Sequence, residues 1–146
     1  AGRGDQTELL RRYISASPAA QYIEYVGPKT PDELPAMYAS MDLFIFPSQL
    51  SESLGLVGIE AMASGTPVIA ADMAGPKTYI TDGVNGYLFE PGNIDSLTAY
   101  ARRYLSLTDS EREAMRRAAF EHSLEYESEK VADALYSRIQ NCINPE

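Results

Sequence analysis

The chain contains very little cysteine, histidine and tryptophan. Among its 146 residues there are one cysteine, one histidine and no tryptophan. The single cysteine, Cys142, cannot form an intrachain disulfide, and no cysteine cluster is available to bind zinc. With His122 alone, no histidine-based triad or metal cluster can be assembled, and we interpret it as a surface or helix-packing histidine. These absences favour a reducing, cytoplasmic location.

Basic residues and long apolar runs are also scarce. The chain has 12 Lys and Arg against 21 Asp and Glu, which gives a formal net charge of -9. This excess of negative charge argues against binding to the phosphate backbone of a nucleic acid. Every apolar run is far shorter than the roughly 20 residues that a membrane-spanning helix requires, and the N-terminus has no signal-peptide pattern. The sequence therefore predicts a soluble chain that binds no nucleic acid.

Short apolar runs alternate with helical patterns along most of the chain. The runs at residues 22–26, 43–46, 68–71 and 87–89 predict strands, of which those at 43–46 and 68–71 are expected to be covered on both faces. Periodicity and capping patterns predict helices at about 9–14, 30–40, 54–64, 94–107, from 110 onward and 128–143. We expect Ser110 and Glu113 to form a capping box, and Gly65 to end the helix before it in a left-handed conformation.

The alternation of strands and helices predicts an α/β fold with a Rossmann-like, mostly parallel sheet and helices on both faces. In such a sheet, ligands bind beyond the carboxyl ends of the strands. The four predicted strands are fewer than the roughly six of a doubly wound sheet, so we expect that a first strand lies upstream of Ala1. Residues 1–146 are expected to form a single domain that is truncated at its N-terminus.

Two glutamates eight residues apart, Glu52 and Glu60, lie where a loop is predicted to enter a helix. A helix N-terminus offers unpaired N–H groups and partial positive charge to a phosphate. A carboxylate only accepts hydrogen bonds, so it can bind both hydroxyls of a vicinal diol such as ribose. The pattern therefore suits a phosphorylated, polyhydroxylated ligand. The structural alternative is that Glu60 meets backbone amides or an arginine, and that Glu52 is a favourable charge near a helix N-terminus.

The residues around these glutamates resemble a known enzyme family. The segment from Pro47 through Gly65 to Ala70 is similar to the E-x7-E signature of retaining GT-B glycosyltransferases, of the type called glycosyl transferases group 1. The likeness covers about residues 1–107 and includes four further motifs: Gly2-Arg3-Gly4, Tyr25-Val26-Gly27, Gly75-Pro76-Lys77 and Asp82-Gly83-Val84-Asn85-Gly86-Tyr87-Leu88. It implies that the chain is the donor-binding, C-terminal half of a GT-B fold.

The resemblance also implies roles for individual residues. Glu60 would bind the ribose hydroxyls, and Glu52 would contact the transferred sugar as the catalytic residue. Backbone amides in the segment of Ser53, Leu54, Gly55 and Leu56 would hold the diphosphate. The nucleobase would lie beside the loop of Val26, Gly27, Pro28 and Lys29. From its position after a predicted strand, Lys77 is a further candidate for the phosphate, with a solvated loop lysine as the alternative.

The implied reaction is transfer of a sugar from a nucleotide diphosphate sugar, with retention at the anomeric carbon, to a saccharide or lipid-linked acceptor. The family commonly works without a bound metal or other cofactor, and this sequence has no Asp-x-Asp triplet. The resemblance also implies a phosphate-binding arginine and lysine upstream of the glycine loop. It implies as well an acceptor-binding N-terminal domain against which residues 128–146 pack. Membrane association is expected only through the full-length enzyme. The 146-residue chain alone is expected to retain part of the donor site without transferring sugar.

Two other functions are compatible with parts of this pattern. The chain could be a nonenzymatic module of the same fold that binds a nucleotide sugar or a partner protein. A dinucleotide-dependent oxidoreductase requires a glycine fingerprint that follows a strand, together with an acidic ribose partner in the same βαβ unit. Gly2-Arg3-Gly4 lacks that context, so we rank the glycosyltransferase first.

Overall fold

The structure is a computed structural model that describes residues 4–48 and 54–143. Contacts divide the chain into two compact units, Ala1–Leu34 and Pro35–Glu146. In the described ranges, no helix combines the length and the apolar character that crossing a bilayer requires. The expectation of one domain over residues 1–146 stays a prediction.

The first unit contains one α-helix, α1 (Thr7–Ala16), and a segment that differs from its prediction. The predicted strand at residues 22–26 is wrong: Ala20–Tyr22 forms a single 3-10 turn, and residues 23–30 have no regular structure. Aromatic and β-branched residues favour a strand only where a neighbouring strand supplies a hydrogen-bonding partner. The strands of the described sheet all lie in the other unit, where they pair with one another. Here Tyr25 instead lies under the Arg11 guanidinium, at 4.7 Å from its ring centroid.

The second unit contains a parallel sheet of three described strands in the order β1-β2-β3. Phe44 of β1 is opposite Val68 of β2, and Val68 is opposite Gly86 of β3. The α/β prediction is therefore confirmed. The strands are β1 (Phe44–Phe46), β2 (Val68–Ala71) and β3 (Gly86–Phe89), and the other helices are α2 (Leu34–Ala39), α3 (Leu56–Ala63), α4 (Ile94–Leu105), α5 (Asp109–Ser123) and α6 (Ser128–Ile143).

The core lies on both sides of β2. Ile69 and Ala71 point to one face of the strand and belong to a buried cluster with Tyr104 of α4 and Met115 of α5. Side chains alternate along a strand, so the equally buried Val68 and Ala70 point to the other face. The prediction of a strand covered on both faces is confirmed for β2. It is wrong for β1, where Ile45 is 42% exposed because the described residues leave its face of the strand only partly covered.

The end of α3 follows the sequence prediction. Gly65 has a φ of 72°, a left-handed conformation that glycine adopts without steric cost. Its N–H donates to the Met62 carbonyl at 2.9 Å, and the Thr66 N–H donates to the Ala61 carbonyl at 3.0 Å. This pair of bonds is a Schellman motif, which satisfies the last carbonyls of the helix. The chain can therefore turn from α3 into β2 within four residues.

The capping box of α5 lies two residues earlier than predicted. Thr108, with extended ψ, precedes the helix, and its hydroxyl accepts from the Glu111 N–H at 3.3 Å. The Glu111 carboxylate accepts in return from the Thr108 N–H at 2.7 Å. Ser110 is already inside the first turn and cannot act as the cap, so the predicted pair of Ser110 and Glu113 is wrong. The sequence contains two overlapping capping-box candidates, Thr108 with Glu111 and Ser110 with Glu113. Thr108 is the cap because its backbone is extended and the helix begins directly after it.

Candidate functional site

Among the residues that the structure describes, no side chain caps the N-terminus of α3. Its N-cap is Gly55, which has no side chain to accept from the first N–H groups, and its first turn contains no acidic residue. Two other helices of this unit, α4 and α5, do have a capping side chain. Asn93 caps α4 by accepting from the Ser96 N–H at 2.9 Å, and Thr108 caps α5. The Gly58 N–H donates to the Gly55 carbonyl at 2.9 Å, and no described side chain accepts from the N–H groups before it, so these groups and the positive end of the α3 dipole can receive an anion.

Gly55 is required at this position for two reasons. It has a φ of 78°, and a Cβ placed on it would lie 2.8 Å from Cε1 of Phe46, the last residue of β1. The close approach brings the start of α3 to the carboxyl end of β1. That is the edge of a parallel sheet at which α/β proteins bind their ligands.

The side chain of Tyr79 packs against the backbone at the start of α3. This side chain is 1% exposed, and its hydroxyl donates to the Gly55 carbonyl at 3.4 Å. A Cβ on Gly58 would lie 2.9 Å from Tyr79 Cζ and closer still to the hydroxyl. The two glycines of the first turn therefore create the space in which a buried tyrosine fixes the backbone of the helix entrance.

Glu60 lies one turn into α3 and is exposed. The Cα–Cβ bonds of a helix tilt toward its N-terminus, so the carboxylate lies on the side of the open N–H groups. Its Oε2 accepts from the hydroxyl of Tyr38 at 3.3 Å. Burial, followed by the charge of Glu60, raises the pKa of Tyr38, so this hydroxyl stays protonated and can donate.

This contact corrects the sequence interpretation of Glu60. A partly buried glutamate, paired with backbone amides or an arginine, was the structural alternative. In the part of the chain that the structure describes, the carboxylate is exposed and its partner is Tyr38. No sequence signal identifies Tyr38, because it lies 22 residues away on another helix and belongs to no recognisable motif.

Two aliphatic side chains flank Glu60 on the surface. Leu56 is 63% exposed and Val57 is 38% exposed, and they precede Glu60 by four and three residues. Residues at these intervals share a helix face, as the sequence predicts. The site therefore combines open amides, a carboxylate and exposed apolar surface, which together suit the phosphate, ribose and carbon framework of a nucleotide.

Lys77 is already paired with a carboxylate. Its Nζ lies 3.0 Å from Oδ1 of Asp72, directly after β2. The contact is ionic, since that oxygen lacks a partner with hydrogen-bond geometry. The two side chains as a whole are about half exposed (54% and 40%), but the Oδ1 atom is buried, so water screens the attraction only in part.

The roles of the remaining predicted site residues stay predictions. Glu52 and Ser53 lie outside the described residues, while Leu54 is half-buried beside Gly55. The loop from Val26 to Lys29 belongs to the first unit. Within that unit Gly27 has a φ of 70°, and Lys29 Nζ lies 3.4 Å from Glu33 Oε1. Over residues 4–48 and 54–143, no group of three or more His, Cys, Asp or Glu side chains could hold a metal ion.

Comparisons with known proteins identify the family that this chain resembles. The family model described as "Glycosyl transferases group 1" matches residues 1–122. The chain is 36% identical over 143 residues to sulfoquinovosyl transferase SQD2 of Arabidopsis thaliana, which covers 93% of this chain and 27% of that protein. It is 34% identical over 136 residues to D-inositol 3-phosphate glycosyltransferase of Mycolicibacterium smegmatis, with coverage of 91% and 30%.

A solved structure is similar over almost the whole chain. The pneumococcal O-GlcNAc transferase GtfA, in complex with UDP and GlcNAc, has a TM-score of 0.75 and 29% identity, and covers 97% of this chain and 28% of that chain. The chain thus spans less than a third of the length of each of these three proteins.

Proposed function

The chain belongs to the glycosyl transferases of group 1, and we propose that it is the donor-binding part of a retaining glycosyltransferase. The enzyme transfers a sugar from a nucleotide diphosphate sugar to a saccharide or lipid-linked acceptor. The observation that carries this proposal is the open N-terminus of α3 with the Glu60 carboxylate one turn away. UDP, which is bound to the pneumococcal relative, is the natural first probe of the site.

In this proposal the diphosphate binds at the start of α3. The backbone N–H groups of Leu54, Gly55 and Leu56 point toward it, and the helix dipole contributes roughly 0.3–1 kcal/mol of attraction to an anion. The absence of a capping side chain and of acidic residues in the first turn supports this role. Lys77 contributes a cation when the incoming phosphate displaces Asp72.

Glu60 binds the ribose hydroxyls. The two oxygens of an ionised carboxylate have about four lone-pair sites, so the hydrogen bond from Tyr38 leaves acceptors for both hydroxyls of the diol. The exposed faces of Leu56 and Val57 pack against the nucleoside. We propose from the resemblance that the base lies beside Val26, Gly27, Pro28 and Lys29.

Glu52 and Ser53 complete the site in this proposal. Glu52 contacts the transferred sugar as the catalytic residue, and the Ser53 segment continues the amide cradle for the diphosphate. As the glycosidic bond breaks, negative charge develops on the departing diphosphate. Backbone amides aimed at that charge stabilise the transition state without a metal ion.

The acceptor is bound by another domain of the enzyme. The chain corresponds to less than a third of its relatives, which supports this division of labour. We therefore expect the 146-residue chain to bind nucleotide without sustained sugar transfer. Steady turnover of a nucleotide sugar and an acceptor by this chain alone would contradict that part of the proposal.

The nucleotide site is tested by titration of the chain with UDP, followed by NMR of the backbone amides. The expected result is saturable shifts at Leu54, Gly55 and Leu56. Glu60→Gln should weaken UDP binding about tenfold, because it removes a charged acceptor of the ribose hydroxyls. Glu129→Gln changes an exposed glutamate of α6 and serves as the control with unchanged affinity. Equal affinity of wild type and Glu60→Gln would remove Glu60 from the ribose role.

A further inference from the structure

Tyr38 is held in place from two directions. Its backbone carbonyl accepts from the Thr66 hydroxyl at 2.7 Å, inside the core. Its ring packs edge-on against Phe44 of β1, with 5.5 Å between centroids and 86° between planes. The residue is 4% exposed. The contacts of its carbonyl and its ring therefore hold the Tyr38 hydroxyl in a fixed position beside α3.

Glu60 lacks any comparable support of its own. The carboxylate is exposed and stands on three freely rotating torsions, which would sample many orientations in water. No salt bridge to Glu60 is found in the described ranges, and the hydrogen bond from Tyr38 is the described contact of its carboxylate. The Tyr38 hydroxyl is held in place, whereas the Glu60 side chain can rotate. The hydrogen bond between them therefore determines the orientation of the Glu60 carboxylate.

We propose that Tyr38 is a positioning residue for the donor site: its hydroxyl holds the Glu60 carboxylate in the orientation that receives the ribose hydroxyls. This inference rests on the proposed ribose role of Glu60. Tyr38 acts through Oε2 of Glu60 and does not contact the sugar. Preorganisation of this kind improves affinity because less side-chain freedom is lost when the ligand binds.

The first test compares UDP with 2′-deoxyuridine 5′-diphosphate on wild type and Tyr38→Phe. Phenylalanine keeps the packing on Phe44 and removes only the hydroxyl. We expect Tyr38→Phe to weaken UDP binding about five- to tenfold. The ratio of the affinities for UDP and for the 2′-deoxy analogue should also fall, because the variant weakens the contact between Glu60 and the ribose diol. A purely structural role for the hydroxyl would weaken both ligands equally, and that result would overturn the inference.

A double-mutant cycle separates this inference from the proposed function. In the Glu60→Gln background, Tyr38→Phe should change UDP affinity less than twofold, since the carboxylate that it positions is gone. If Glu60→Gln leaves UDP affinity unchanged, the proposed ribose role fails. If Glu60→Gln weakens binding and Tyr38→Phe does not, the positioning role alone fails.

Two further measurements check whether the effect is specific to Tyr38 and whether Tyr38 contacts Glu60. Tyr104→Phe removes another buried tyrosine hydroxyl, which donates to the Asp42 carbonyl at 2.6 Å, and should leave UDP affinity unchanged. A loss equal to that of Tyr38→Phe would show a general effect of a loosened core and contradict our inference. Without any ligand, Glu60→Gln should lower the pKa of Tyr38, because the charge of Glu60 contributes to raising it. An unchanged pKa would show that the two groups do not meet.

Discussion

Replacement of Gly58 by alanine tests the packing under the start of α3. The added methyl would lie 2.9 Å from Cζ and 3.0 Å from Cε2 of Tyr79, and closer still to its hydroxyl. Real Cβ atoms essentially never approach heavy atoms this closely, so one partner must move. Tyr79 is 1% exposed and hydrogen-bonded to Gly55, which leaves it little room.

Two opposing free-energy changes decide the outcome of Gly58→Ala. Alanine is better than glycine within a helix by about 1 kcal/mol. Overpacking of a dense core costs roughly 1–3 kcal/mol, and contacts this short belong at the upper end of that range. We therefore expect a net loss of about 1–2 kcal/mol in the free energy of unfolding, in spite of the gain in helix propensity.

The assay is urea unfolding of the chain followed by circular dichroism. With a slope of about 2 kcal/mol per molar urea, the midpoint should fall by roughly 0.5–1 M. Gly4→Ala is the matched control, since a Cβ on Gly4 meets nothing within 4 Å and its midpoint should hardly change. In the Tyr79→Phe background the nearest clashing atom is gone, so Gly58→Ala should cost about 1 kcal/mol less. A midpoint for Gly58→Ala equal to or above that of wild type would refute the reasoning.

Two further predictions concern caps and buried hydrogen bonds. Hydrogen bonds from the Thr108 hydroxyl and backbone N–H lower the pKa of Glu111 below its ordinary 4.5. The ionised carboxylate therefore stabilises the fold above that pH, and this stabilisation is lost as the pH falls through the folded pKa. Glu111→Gln should therefore lower the urea midpoint at about pH 7, with the difference shrinking toward about pH 3, whereas a constant difference would contradict the capping role. Thr66→Val keeps the buried volume, and the carbonyl of Tyr38 keeps its bond from the Met41 N–H, so the variant should cost about 1 kcal/mol by thermal unfolding. Stability equal to that of wild type would show that the hydroxyl bond contributes nothing.

Local chemistry accounts for the elements that the sequence predicts correctly. The strand at Val68–Ala71 is a short run of apolar residues between turn signals, and the structure has the same bounds. The end of α3 depends on one backbone angle that Gly65 adopts without strain. The helix at Ser128–Ile143 follows from apolar spacing at helical intervals. The α/β class follows from such elements taken in order along the chain.

Tertiary structure decides the features that the local sequence pattern does not predict or predicts ambiguously. The run at residues 22–26 has strand-forming residues, and without a partner strand it forms none. Glu60 could have met an arginine, a backbone amide or water, and only the packing of α2 beside α3 brings the Tyr38 hydroxyl to it. The sequence by itself determined where a carboxylate and an open helix end would occur. Which side chain steadies that carboxylate depends on contacts between residues far apart in the chain, and no local propensity encodes those.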